Sequence, residues 1–548
     1  MRSSLAVRSA GSLAGLTAAL WMTMGGIAGA STVAATNPGS SPAASSSPSP
    51  SSSSGGGSWT VYHGDPAGGG VAVSSGTVGT ASRAWTSPAL DGEIYGEPLV
   101  WAGRVYVATE NDTVYALSAA TGAVAWSRHL AAPVPASSLP CGDITPTAGI
   151  TGTPVIDPAR GEIFVVADEV TSGHPAHVLA GLSTATGRVE MTRAVDPAGA
   201  DTAALLQRTG LALAGGRVVF GFGGNDGDCA TYRGRVVAVP ETGGAPAMFT
   251  VDGKPGESQG AVWMGGAAPA VDAAGHVWVS AGNGSVYNAS RGYDDSDSVL
   301  ELSSSMRLLQ YFAPSDWPAN NSRDLDMSTE PVLLADGQVL LTGKSRIVYL
   351  LNGAHLGGIG GQLASLGPAC SEDIDGGAAV TGSTVYLPCF SGIIAIRATA
   401  SPPGLRLLWS SRTGGGPPIV AGGLIWTISQ GGTLYGLDPR TGQVRQQASI
   451  GTPANHFPTP SVGAGLLLAP TADRVVAFRA TGAPGAPTSA NGTATPAPAS
   501  PGPHGTQTGS IAPPAGLSGG AVAGIVAGSL VVLTGIGWLV WRRAQNRP

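Results

Sequence analysis

The sequence predicts an all-β fold, an eight-bladed propeller, and three observations carry that prediction. Glycine and proline are abundant, 84 and 42 of 548 residues, which disfavours helix interiors and suits dense turns between short strands. Charged residues are only 11% of the chain, against the usual quarter or so, and this agrees with many half-buried and buried strands. One strand grammar recurs eight times between residues 98 and 480, with starts 40 to about 60 residues apart, the period of propeller blades and too long for leucine-rich or hexapeptide solenoids.

The first copy sets the pattern. Residues 98 to 126, PLVWAGRVYVATENDTVYALSAATGAVAW, read as an apolar strand, a glycine turn, an alternating strand, a polar turn, and a third strand ending Tyr115-Ala116-Leu117. A Thr121-Gly122 turn and a fourth strand ending at Trp126 complete one four-stranded unit. The grammar returns over 154–191, 211–244, 269–312, 331–357, 378–398, 417–446 and 460–480. The last copy stops after its third strand at Ala480, while an isolated strand pattern, Trp59-Thr60-Val61-Tyr62, opens the domain. Pairing the two is the expected way to close the ring and remove its exposed edges.

The ends carry different signals. Arg2 and Arg8 precede an uncharged apolar stretch that runs into Ala28-Gly29-Ala30, so residues 1–30 are expected to be a signal peptide cleaved after Ala30. Residues 31–58 are rich in Ser, Pro and Gly and are expected to be a disordered linker before the propeller at 59–480. A second Pro/Thr/Ala/Gly-rich stretch, 481–518, reads as a stalk, and 519–541 holds AVAGIVAGSLVVLTGIGWLVW, 21 uncharged residues with Trp538 and Trp541 at one end. At about 1.5 Å rise per residue this stretch is long enough for a hydrocarbon core of roughly 30 Å. The basic tail 542–548, with Arg542, Arg543 and Arg547, places the C-terminus in the cytoplasm and the propeller outside the cell membrane. The net charge of −6 offers no basic surface for phosphates, so nucleic acid is excluded as a partner. The basic residues are 26 Arg and only two Lys, Lys254 and Lys344.

The repeat, most clearly at VYALSAATGAVAW (114–126) and LYGLDPRTGQVRQ (434–446), resembles the pyrroloquinoline-quinone (PQQ) type propeller repeat over roughly residues 59–480. That likeness implies the propeller fold. It points less firmly to an activity, because the same repeat serves quinoprotein dehydrogenases and propellers that bind no quinone. A quinone enzyme needs an aromatic floor, a Ca²⁺ ion held by hard oxygens, a cation beside the quinone and a carboxylate base. By resemblance, 261–288 carries the stacking Trp263 and the calcium-binding Asn283, 316–327 the base as Asp324 or Asp326, and 343–352 the cation Lys344.

Two parts depart from that pattern. The family's adjacent pair of cysteines is replaced by Cys141-Gly142, and in NDGDCATYRG Cys229 stands where the calcium-binding Glu belongs. A thiol does not serve a hard cation, so Ca²⁺ would fall to Asp226 or Asp228. In an exported chain four cysteines allow three pairings. The two replacements in one funnel make Cys141–Cys229 the natural disulfide and leave Cys370–Cys389 as the second. No CxxC motif suggests thiol chemistry.

Other candidates are weaker. YDDSDS (293–298) gathers Asp294, Asp295 and Asp297 but lacks the glycine and terminal Glu of an EF-hand, so it reads as a solvated loop. His174 and His177 flank Pro175 in a hairpin and do not read as a zinc pair. No HExxH or P-loop pattern appears. The expected function is therefore a membrane-anchored extracellular binding or scaffold module, with a protein, glycan or small ligand on the propeller face and the long inserts 135–150, 222–234, 284–298 and 314–330 as the places to look. The alternative is a divergent PQQ- and Ca²⁺-dependent dehydrogenase oxidising an alcohol or sugar, which would need an external electron acceptor because no CxxCH haem motif is present.

Overall fold

The computed structural model describes residues 57–72 and 78–480. The expected signal peptide, almost all of the first linker, the stalk, the 519–541 helix and the basic tail lie outside the described residues. Among the described residues no helix is long and apolar enough to cross a membrane.

Eight antiparallel sheets form the blades. Blades 1 to 7 span 99–129, 155–194, 212–250, 270–313, 332–366, 379–411 and 419–449, and blade 8 is built from 461–480 with one further strand. In each blade the inner strands are almost wholly buried, whereas the outermost strand of blade 1, Val124–His129, is largely exposed. Two blades carry a fifth strand: Leu205–Leu206 pairs within blade 3, and Gly358–Ile359 returns from blade 5 to lie parallel to blade 4.

The ring does not close as the sequence suggests. The outermost strand of blade 8 is Val78–Thr86, antiparallel to Val475–Ala480 with Arg83 opposite Phe478 and Thr86 opposite Val476. Residues 57–72 instead form a belt around the central channel, touching every blade in turn. Gly57 O accepts from Ala464 N of blade 8, Trp59 exchanges both backbone bonds with Val100 of blade 1, and Thr60 O accepts from Ile156 N of blade 2. Val61 packs among Val155, Leu211 and Val218 of blades 2 and 3, and Pro66 O accepts from Val271 N of blade 4. Gly68 lies against the Glu330 carboxylate before blade 5, and Gly69 O and Gly70 O accept from Val380 N and Val420 N of blades 6 and 7. The inner strands of a propeller present unpaired backbone groups to the channel, and the belt supplies partners for them.

The Thr-Gly turns and repeat tryptophans form a clamp between blades. Trp85 Nε1 donates to Ala119 O, Trp126 Nε1 to Thr184 O and Trp409 Nε1 to Pro439 O, each in the turn of the following blade. Gly122, Gly187 and Gly442 all have φ near +70°, and a Cβ at any of them would fall 2.5 Å from the tryptophan ring stacked on the turn. Glycine is required there both for the backbone conformation and for the ring.

Both expected disulfides form, Cys141–Cys229 with Cα atoms 6.1 Å apart and Cys370–Cys389 with 6.0 Å. The antiparallel meander sends the connections between successive blades, and those between the second and third strands of each blade, to one face. That face holds the candidate site.

Candidate functional site

Five residues singled out in the sequence converge. Trp263 precedes the Met264–Gly266 turn that leads into blade 4, and Asn283 follows the second strand of that blade, Val277–Ala281. Asp324 and Asp326 follow the short helix Trp317–Asn321 between blades 4 and 5, and Lys344 follows Gln338–Leu341 of blade 5. Asn283 donates its backbone N–H to Asp326 Oδ1 at 2.6 Å and its side-chain amide to Asp324 Oδ1 at 2.7 Å. Lys344 Nζ lies 2.6 Å from Asp326 Oδ2 and 3.2 Å from Asp324 Oδ1. The same ammonium sits over the Trp263 ring, 5.4 Å from its centroid, a cation–π contact. Burial works against the charge of Lys344, but Asp326 and Asp324 outweigh it and hold its pKa above the ordinary lysine value.

The approach of these elements depends on glycine. A Cβ at Gly265 would lie 2.3 Å from Gly376 N, and one at Gly282 would lie 2.3 Å from Asp326 Oδ1. The second contact keeps the Asp326 carboxylate against the blade 4 backbone, within reach of the Asn283 N–H.

The loop after Arg217–Gly224 behaves differently. Asp226 is exposed, and Asp228 accepts from Tyr232 Oη at 2.7 Å, its carboxyl pushed up by burial and by the nearby Asp326 and Asp324 charges while Tyr232 pulls it down. Asp228 and Cys229 line an open depression of about 290 Å³ with Gln259, Ser285 and the exposed Tyr287.

Around the axis lie residues that carry no motif in the sequence. Arg208, 9% exposed, lies between Tyr95 and Phe457, 5.5 Å from each ring centroid. An aromatic row runs from Trp263 to Phe457 at 6.0 Å, to His456 at 6.2 Å and to Phe390 at 5.8 Å. Asp375 is half-buried nearby, its carboxyl pushed up to about 7 by desolvation, with Ser328 and Lys344 pulling it down. These residues come from connections of several different blades, and their shared feature is their place before or after an inner strand, which only the repeat register could have signalled.

Two further groups answer sequence-based expectations, and a third carried no signal in the sequence. Asp294 and Asp297 are 1% and 0% exposed, so the YDDSDS segment is not a solvated loop: the chain folds it beneath the face, where Ser296 Oγ donates to Asp294 Oδ1 at 2.6 Å and neither oxygen of Asp297 has a hydrogen-bond partner. His174 and His177 lie on a strand, where His177 is buried and hydrogen-bonded through Nδ1 to Asp196 Oδ1 at 2.7 Å. Asp272, His276 and Glu301 also meet on blade 4, but His276 Nδ1 is already held by Glu301 Oε1 at 2.6 Å and Asp272 by the indole of Trp278.

The donor set does not fit a calcium-bound quinone. Cys229, standing at the position of the family's calcium carboxylate, has its sulfur bonded to Cys141. Asp326 has one oxygen taken by Asn283 and the other by Lys344, and that ammonium occupies one face of the aromatic floor. The remaining hard donors near this place, Asn283 Oδ1, the second oxygen of Asp324 and the buried Asp297 carboxylate, still fall short of the six to eight oxygens that Ca²⁺ takes.

Comparisons with known proteins agree on the fold. The protein-family model described as outer membrane protein assembly factor BamB matches residues 49–310. The quinohemoprotein alcohol dehydrogenase of Comamonas testosteroni superposes with a TM-score of 0.58 at 15% identity, over 79% of this chain and 82% of that one. The quinohemoprotein alcohol dehydrogenase ADHIIG of Pseudomonas putida HK5 gives 0.55 at 15% identity over 81% and 82%. A europium-containing methanol dehydrogenase gives 0.54 at 15% identity over 74% and 87%. At such identities the likeness shows the fold alone. No curated protein matches the chain.

Proposed function

We propose that this PQQ-like β-propeller is a binding or scaffold module without quinone-dependent catalysis, exported by residues 1–30 and held at the cell membrane by 519–541 with its propeller outside. The observation that carries the reading is the mutual neutralisation of Lys344 with Asp326 and Asp324: the groups a dehydrogenase would use as cation and base are spent on each other and on Trp263. What remains open toward the ligand side is a rim of rings, Phe390, His456 and Phe457, beside the buried Arg208. Rings and a guanidinium set among polar loops suit contact with a protein, glycan or small ligand.

The second reading is the divergent quinoprotein dehydrogenase, and the convergence of Trp263, Asn283, Asp324, Asp326 and Lys344 favours it. Titrating PQQ into the full chain in detergent, at constant Ca²⁺ and following tryptophan fluorescence, separates the two. The module reading expects no saturable quench up to high micromolar PQQ. A saturable, calcium-dependent quench would replace it with the dehydrogenase.

A further inference from the structure

Asp252 lies just after blade 3 and Asp294 in the blade 4 insert, and both are buried, 0% and 1% exposed. Asp252 N donates to Asp294 O at 3.0 Å, which holds the two backbones together. Neither carboxylate oxygen of Asp252 has a hydrogen-bond partner. Asp294 Oδ1 accepts from Ser296 Oγ at 2.6 Å, while its Oδ2 has only a marginal contact, Asn321 Nδ2 at 3.5 Å. Lys254, two residues beyond Asp252, is engaged elsewhere: it reaches the Tyr293 carbonyl and, at 3.5 Å, Glu257.

The surrounding walls are glycine. A Cβ at Gly260 would fall 2.6 Å from Asp252 Oδ2, and one at Gly284 would fall 2.6 Å from Asp294 Oδ2 and 2.8 Å from Ser296 Oγ. Gly284 N donates to Asn321 Oδ1 at 2.8 Å, so a further amide oxygen is oriented beside the pair. Two buried carboxylates with two oxygens unpartnered and a third held only by a marginal contact are strongly unfavourable unless something positive is shared between them. Burial and the facing Asp294 charge, with Glu257 and Asp295 adding to it, push the Asp252 carboxyl up to about 9, the direction expected when the positive partner is missing.

We propose that the carboxylates of Asp252 and Asp294 hold a divalent cation of the calcium type beneath the blade 3–blade 4 face, at a place separate from the Asn283–Asp326–Lys344 cluster. All donors are hard oxygens. A buried, oxygen-lined position suits Ca²⁺, which accepts irregular shells, over Mg²⁺, which keeps its waters and demands near-octahedral geometry. Water from the depression lined by Gln259 and Ser285 would complete the shell. The cation would tie the 284–298 insert to blade 3 and so set the floor of that depression. This inference goes beyond the proposed function and does not depend on it.

The test is a Ca²⁺ titration of the chelator-washed full chain in detergent with no PQQ present, by calorimetry and melting temperature. The expected result is one Ca²⁺ per chain, a rise of the melting temperature by several degrees, and no equivalent response to Mg²⁺. Asp252→Asn should weaken Ca²⁺ binding by more than about 100-fold, since even outer-shell partners are worth tenfold to a hundredfold. Asn283→Ala should leave it in place. Should Asp252→Asn fail to fold, Tb³⁺ emission sensitised through Tyr293 in the unaltered chain, displaced by Ca²⁺, reads the same site. A chain that neither binds Ca²⁺ nor sensitises Tb³⁺ overturns the proposal and leaves a shared proton between the two carboxyls. Binding abolished by Asn283→Ala and untouched by Asp252→Asn overturns it as well.

Discussion

Lys344 Nζ meets Asp326 Oδ2 at 2.6 Å at the centre of the face that the inter-blade connections build. The pair has side chains 21% and 10% exposed, so each partner depends on the other for most of its solvation. Removing one partner of a buried pair strands the other charge, a loss of about 3–5 kcal/mol. Lys344→Met should lower stability by about that amount in urea unfolding, and adding Asp326→Asn should recover much of it. A single variant as stable as the parent would show that the pair is solvated.

The 88-residue separation between Cys141 and Cys229 makes that bridge a strong constraint on the unfolded chain. Cys229→Ala should cost about 2–4 kcal/mol, read as a lower melting temperature under non-reducing conditions, and thiol reductant should then have less effect on the variant than on the parent. An unchanged melting temperature would argue against the bridge.

Trp59 is 2% exposed and its indole N–H donates to Glu97 Oε1 at 3.0 Å, while the same carboxylate accepts from His63 N. Trp59→Ala removes a large buried ring and a partner of a buried acid. The expected loss is about 3–5 kcal/mol. If the belt merely lies along the channel without supporting it, the variant will match the parent in chemical denaturation.

Acids buried between blades 1 and 2 predict a pH dependence. Burial, with Asp168 and Glu110 alongside, pushes the Asp112 carboxyl up to about 9; burial likewise lifts Glu110 to about 7 and Asp168 to about 6. The folded chain therefore binds more protons than the unfolded chain from about pH 4 to 9, and stability falls as pH rises across that window. His177 acts in the same direction. Burial disfavours its charge, yet Asp168 and Asp196 raise its pKa overall, so its contribution is complete below about pH 6.5 and is lost as pH climbs through the raised value. Melting temperatures in chelator at pH 5, 7 and 9 should decline in that order, and Asp112→Asn should flatten the decline at its alkaline end. Asn tolerates the positive φ of 52° at this position.

The blades were legible because each is a local object. Alternation, Gly turns and Thr-Gly-Trp spacing lie within about 45 residues, and a strand meander needs little else to be recognised. The cysteine pairs were also within reach, because resemblance placed Cys141 and Cys229 in one funnel. Resemblance to family segments singled out Trp263, Asn283, Asp324, Asp326 and Lys344, and the fold then gathered them.

Tertiary structure decided what depends on contacts between distant segments. Trp59 to Tyr62 have the alternation of a strand, but the free outer edge of blade 8 is filled by Val78–Thr86, and the channel's unpaired inner-strand groups draw the earlier segment into a belt. Asp294 and Asp297 look like loop acids in sequence. Their burial follows from the way blades 3 and 4 close over them. Arg208 carries no motif, and its setting between Tyr95 and Phe457 joins three connections that only ring closure makes neighbours. Local periodicity determines the blade, because hydrogen bonding and side-chain alternation are short-range. Closing eight blades into a ring determines the site, because burial, charge pairing and loop convergence arise only once distant inter-blade loops share one face.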